Sequence, residues 1–142
     1  MALTDERIVE KLQEQFGTNV VNFRYENDGM LSFDVAAAHN FGVVKFLKED
    51  AELRFNFLTD VCGVHYPDFP EGEKFAVVYH LHNWIDNVRV RFKCFLNGTN
   101  PEIDSIVALF AGANWQERET FDFFGIKFKG HPQLKRVLNM DE

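Results

Sequence analysis

Four side chains near the C-terminal end of the sequence belong to the types that move protons or hold metals: Glu117, Glu119, Asp122 and His131. Converging carboxylates and an imidazole would suit acid–base work or a metal centre. The spacing argues against convergence. Residues 114–124 are predicted to be helical, and on a helix Glu117 and Glu119 lie roughly 200° apart. Arg118 and Asp122 stand four residues apart and can pair, whereas Glu119 and Asp122 repel unless a cation from elsewhere sits between them. Two other histidines, His80 and His82, share one strand face, and two alone make a weak metal site. The two cysteines, Cys62 and Cys94, have no neighbours at the close spacing of an iron–sulfur or zinc cluster, and a reduced pair is expected. None of the nine glycines forms a G-x-G pair, so a dinucleotide fingerprint is lacking. Gly125 and Gly130 mimic the frame of a phosphate loop, but His131 stands where the lysine belongs and Phe128 fills the loop.

The elements that must position these groups follow from periodicity. Thr4, Asp5 and Glu6 read as a helix start. Ile8, Val9, Leu12 and Phe16 then recur at helical spacing up to a stop at Gly17. Val21, Phe23 and Tyr25 alternate with polar residues, Asn27, Asp28 and Gly29 form a turn, and Leu31, Phe33 and Val35 complete a hairpin. Residues 39–50 read as a second helix with Phe41, Val44 and Leu47 on one side. Leu53, Phe55 and Phe57 alternate as a third strand that runs on to Val61. A loop with Pro67, Pro70 and Gly72 follows. The clearest hairpin pairs Phe75, Val77, Tyr79 and Leu81 with Val88, Val90, Phe92 and Cys94 across a turn at residues 83–87.

Alternation in all five strands indicates a sheet with one buried face. The fold class is therefore α+β: a two-layer sandwich of one mixed five-stranded sheet with two helices on one face, plus a C-terminal helical and extended segment. The open face would carry His80, His82, Arg89, Arg91 and Lys93. Residues 1–113 form the sandwich. Residues 114–142 form a helix and an extended tail within the same compact unit. In the join, Ile106, Val107, Leu109 and Phe110 suggest a short helix, and Asn114 with Glu117 resembles a capping box. Gly125 ends the last helix.

Composition narrows the partners. The net charge is −7, which disfavours nucleic acid. Sixteen of the 21 aromatic residues are Phe, leaving much apolar surface for a core or for a partner to cover. Residues 1–113 hold 17 acidic and 10 basic side chains, but residues 123–138 hold Lys127, Lys129, Lys135 and Arg136 and no acid. The longest run of apolar and small residues, 106–113, is too short for a membrane span, and the polar opening residues lack a signal-peptide pattern, so a soluble chain is expected. The aromatics of the last helix are unusual. Trp115, Phe121, Phe123 and Phe124 point in different directions, where an amphipathic helix would gather them on one side. Such a set needs cover from more than the chain's own sheet.

The stretch from Trp115 to Leu138 closely resembles the signature of the C subunit of the proton-pumping NADH–quinone oxidoreductases (complex I). The signature runs Glu-Arg-Glu, Asp, Gly-Ile, Gly-His-Pro, Leu and Arg. Here it is carried by Glu117, Arg118, Glu119, Asp122, Gly125, Gly130, His131, Pro132, Leu134 and Arg136. Upstream, Phe57 to Asp60, Val64 to Pro67 and Tyr79 to Leu81 are similar to the family as well, whereas members usually continue beyond the position of Glu142 with a Pro- and Arg-containing tail. The resemblance implies a non-catalytic structural subunit of the peripheral arm, beside the B and D subunits that shape the quinone site. It implies no cofactor in this chain, with flavin, iron–sulfur clusters and quinone in other subunits. It also implies peripheral association with the cytoplasmic side of the membrane. The subunit interface is then expected on Trp115, Phe124 and the signature residues. The rival readings are the equivalent subunit of a related membrane-bound hydrogenase and a free-standing binding domain.

Overall fold

The computed structural model describes residues 2–131. The expectations for Pro132, Leu134, Arg136 and the rest of the tail lie outside the described residues. Thr4 caps the first helix, α1 (Asp5–Phe16), by accepting from the Arg7 N–H at 3.2 Å, and Asp5 and Glu6 occupy its first turn. The strands β1 (Val20–Tyr25) and β2 (Leu31–Val35) form the first hairpin. The second helix, α2 (Asn40–Glu49), crosses the sheet and leads to β3 (Phe57–His65), β4 (Phe75–Asn83) and β5 (Val88–Leu96). Those three strands form an antiparallel meander, and β5 inserts beside β2 in parallel, giving the order β1-β2-β5-β4-β3. The sheet is thus mixed and five-stranded, and the fold is α+β as the alternation implied.

Register explains where the core sits. Tyr79 lies opposite Phe92, and Phe92 lies opposite Phe33. Their rings stack at 4.8 and 5.6 Å, and Phe23 joins at 5.3 Å from Phe33. One aromatic row therefore crosses four strands on the inner face. Ile8 and Leu12 from α1 and Val43, Val44 and Leu47 from α2 close over this face, all fully buried. The outer face is a mesh of pairs rather than a bare basic surface. Arg91 binds Asp28 with both terminal nitrogens (3.1 and 3.2 Å) and donates to the Ser32 hydroxyl, Arg24 pairs with Asp34, and Lys93 reaches the Tyr66 hydroxyl.

Four local expectations are corrected. In β1 the inward residues are Val20 and Phe23, while Val21 and Tyr25 are exposed. A bulge between Val21 and Arg24, with Asn22 at φ 59°, inserts an extra residue and switches the parity. Leu53 and Phe55 are buried but precede the strand. The Asp50 carboxylate accepts from the Glu52 and Leu53 N–H groups, and the Phe55 N–H donates to Leu47, so this backbone bonds to the end of α2 instead of to a strand. Residues 106–110 make a single turn on the Ile106 carbonyl and no helix, and the inward face of α2 runs through Asn40, Val43, Val44 and Leu47, leaving Phe41 half-buried. Two three-residue strands were not foreseen: β6 (Glu102–Asp104) pairs in parallel with β7 (Lys127–Lys129), which follows the third helix, α3 (Ala113–Phe124).

Phe92 is the centre of the aromatic row and fully buried. Phe92→Ala should lower the unfolding free energy by about 3–5 kcal/mol, measured by urea titration; a change below about 1 kcal/mol would place the ring on the open face.

Candidate functional site

Helix α3 carries most of the residues singled out by the sequence, and the structure divides them into two sets. The first set points inward. Glu117 is fully buried. Its carboxylate accepts from the Ser105 hydroxyl at 2.6 Å and from the Ile106 N–H at 2.8 Å. This corrects the capping-box expectation: the helix begins at Ala113 with Gly112 before it and has no side-chain cap, so Glu117 is free to serve the β6–α3 connection instead. His131 is also buried, and its Nε2–H donates to the Asn114 carbonyl at 2.9 Å, joining the chain after β7 to the first turn of α3. Gly125 ends the helix at φ 73° with its N–H on the Phe121 carbonyl. Gly130 turns the chain at φ 86° just before His131.

Close packing fixes this helix on β3. A Cβ placed on Gly63 would come within 2.7 Å of both Thr120 and Phe124 side-chain carbons, so only glycine lets α3 lie this near the sheet. Phe124 is half-buried and meets Phe75 edge-on at 6.2 Å. Gly63 pairs with Val77, two residues from Tyr79, so α3 covers the same inner face as α2.

The second set points outward. Trp115 is 65% exposed and Phe123 is 81% exposed. Arg118 and Asp122 lie 4.0 Å apart across one turn, and Glu119 is exposed beside them. The four aromatics of α3 therefore split: Phe121 and Phe124 pack on the core, while Trp115 and Phe123 stand in solvent. A further exposed group was missed. Phe57 and Trp84 pack ring on ring at 5.0 Å, with Ile85 beside them at the tip of the β4–β5 hairpin. The adjacent Trp84 and Ile85 inside a turn were the available signal. Among the described residues, no three of His, Cys, Asp and Glu come together in a way that could hold a metal ion. No helix among them is long and apolar enough to cross a membrane.

An α+β domain that anchors a helix from within and leaves its outer aromatics bare has the surface character of a protein-interaction module. Comparison with known proteins supplies the family. The model of the respiratory-chain NADH dehydrogenase 30 kDa subunit matches residues 33–142. The C subunit of the NADH-quinone oxidoreductase of Roseiflexus sp. (strain RS-1) is 41% identical over 138 residues, covering 97% of this chain and 78% of that protein. The corresponding C 2 subunit of Rhizobium etli (strain CIAT 652) is 41% identical over 127 residues, covering 89% of this chain and 65% of that one. The solved trypsin-resistant fragment of Nqo5 superposes with a TM-score of 0.75 at 29% identity, covering 89% of this chain and 96% of the fragment. The chain belongs to the family of the respiratory-chain NADH dehydrogenase 30 kDa subunit, also called the C subunit.

Burial pushes the Glu117 carboxyl up to about 7, against the opposing pull of the Ile106 N–H and the Ser105 hydroxyl. The folded chain therefore holds this proton more tightly than the unfolded one, where the value is 4.5. The contribution of Glu117 to stability is fully present below pH 4.5 and is lost as pH rises to about 7. Glu117→Gln, which cannot titrate, should flatten this part of the stability–pH profile in urea titrations. An unchanged slope would show that Glu117 does not carry it.

Proposed function

We propose that this chain is a structural, non-catalytic subunit of an NADH–quinone oxidoreductase. It docks in the peripheral arm through the outer surface of α3. An identity of 41% over 97% of the chain to the C subunit of such an enzyme carries the assembly reading. The bare Trp115 and Phe123 on a tightly anchored helix support the docking surface. Arg118, Glu119 and Asp122 supply its polar rim, and Phe124 borders it, while Glu117, Gly125, Gly130 and His131 hold the helix that presents it. Pro132, Leu134 and Arg136 would extend the contact along the chain. The partners on this reading are the B and D subunits beside the quinone site. Flavin, iron–sulfur clusters and quinone reside in those and other subunits, and the chain meets the membrane from the cytoplasmic side only through the complex.

Native mass spectrometry of the endogenous complex tests the assembly directly. Co-purification with an NADH-binding flavoprotein and quinone-module subunits is the expected result. Hydrogenase-type neighbours, or a chain with no partners, would replace this reading. The chain purified alone should show no flavin or iron–sulfur absorbance and no NADH oxidation; stoichiometric iron or flavin would overturn the non-catalytic role.

The pair of substitutions Trp115→Ala and Arg118→Ala tests the surface. In the chain alone Arg118 makes only a long, exposed ion pair, worth roughly 0–1 kcal/mol, so the melting temperature should barely move. In the assembly, loss of one partner of a desolvated pair typically costs about 3–5 kcal/mol, so recovery of the intact complex and its quinone reductase activity should fall sharply. Normal assembly of the double variant would remove α3 as the docking element.

A further inference from the structure

The strand β3 is one of the two edge strands of the sheet, with no strand beyond it among the described residues. It spans nine residues, and the backbone groups along its free side have no ladder partner. Such an edge is a template for another strand, and proteins usually shield it. The shielding here is incomplete. Helix α3 closes over the inner side at Gly63, and a register shift between Leu58 and Asp60 leaves Thr59 as an extra, exposed residue.

A cleft of about 200 Å³ runs around this edge. Asp60 and Cys62 line it from the outer face and Gly63 from the inner face, while Gln116, Glu119 and Phe123 line it from α3. Because both faces of β3 contribute, the cleft opens onto the strand's backbone edge. The Gln116 Oε1 is buried and has no donor, a state that ordinarily marks a missing partner. Among the described residues, the charged side chains of the cleft are Asp60 and Glu119, both acidic. Exposed aromatics bracket the strand, with Phe57 against Trp84 at its start and Phe123 beside its later half.

We propose that the β3 edge accepts an extended segment of another subunit as a sixth strand, and that this segment carries Lys or Arg side chains. Main-chain hydrogen bonds along β3 supply the general affinity of strand addition, and side-chain pockets supply its selectivity. The acids of the cleft take the basic side chains, and the bracketing aromatics take apolar ones. A donor from the segment completes Gln116. This inference rests on the reading of the chain as an assembly subunit; the cleft shares Glu119 and Phe123 with the α3 surface, but Thr59 and Asp60 of the strand edge belong to it alone.

The test places the photo-cross-linker p-benzoylphenylalanine at Thr59 in the full chain, within the complex purified from membranes. Irradiation followed by peptide sequencing should identify a segment of a different subunit that contains Lys or Arg. Cross-linking to residues 132–142 of this chain, to a second copy of it, or to no protein would overturn the proposal. Thr59→Pro provides a second reading, because proline is tolerated at bulges and edges but removes an N–H and strains an added strand. Recovery of the complex should fall roughly five- to tenfold, the equivalent of about one or two main-chain hydrogen bonds, while Thr59→Val keeps it. Should the proline variant melt early on its own, Asp60→Lys gives the same reading through charge, and unchanged recovery there would sink the idea. A Thr59 cross-link to another subunit together with normal assembly of the α3 variant would keep the strand addition and remove the α3 surface. The reverse pattern would do the opposite.

Discussion

Four rings in line across the inner face of the sheet set the conditions for the rest of the molecule. Phe23, Phe33, Phe92 and Tyr79 come one from each of four adjacent strands, with neighbouring centroids 4.8 to 5.6 Å apart. Such a row is stable only where water is excluded, so α1 and α2 must lie across it. It also buries one polar atom, the Tyr79 hydroxyl, which needs a partner. Asn40 of α2 supplies it, donating to the hydroxyl at 3.1 Å and to the Asp104 carbonyl at 2.7 Å. The apolar row thus fixes a polar route from the sheet through α2 to β6.

That route continues into α3. Immediately after Asp104, the Ser105 hydroxyl and the Ile106 N–H need acceptors in the interior, and the Glu117 carboxylate supplies both. A carboxylate offers each donor its own oxygen, Oε1 to the hydroxyl and Oε2 to the N–H, whereas an amide has a single oxygen for both. The opposing cost is desolvation of a charge, expressed as the upward shift of its titration. With its inner side committed to Glu117, Thr120 and Phe124, α3 leaves Trp115 in solvent and Phe123 exposed beside the edge of β3. Their exposure is a consequence of the anchoring.

The sequence was most legible where local pattern and tertiary demand agree. The alternation of β4 and β5 gave their register faces directly, because both strands lie inside the sheet and have no bulge. It failed in β1, where Asn22 takes a left-handed conformation that nothing in its neighbours announces. It misled at Leu53 and Phe55, whose burial mimics a strand while their backbone follows α2. The capping-box spacing at Asn114 and Glu117 was a local signal overruled by donors at Ser105 and Ile106, twelve and eleven residues from Glu117. The pairing of β6 with β7 involves three residues in each strand, too few to show a period. For the candidate site, the spread of aromatics around α3 was visible as an anomaly. Which rings face out depended on Gly63, a residue in another element. The contact of Phe57 with Trp84 required knowing that β3 runs beside the β4–β5 hairpin.

Among the described residues, the signature segment therefore divides into exposed side chains and the buried groups that hold them. Glu117, Gly125, Gly130 and His131 lie at points where the chain must turn or bury a polar group. Trp115, Arg118, Glu119 and Asp122 flank Glu117 in sequence because a helix presents both faces within one turn, and the other three follow the helix. The mechanical consequence follows from the contacts. A partner pressing on Trp115 and Phe123 bears on a helix that cannot roll without breaking both hydrogen bonds of Glu117. Nor can it move toward the sheet, since Thr120 and Phe124 already occupy the space that a side chain on Gly63 would need. The outer rings are thus held at fixed positions relative to the edge of β3, as a surface must be if it is to be recognised without first being ordered.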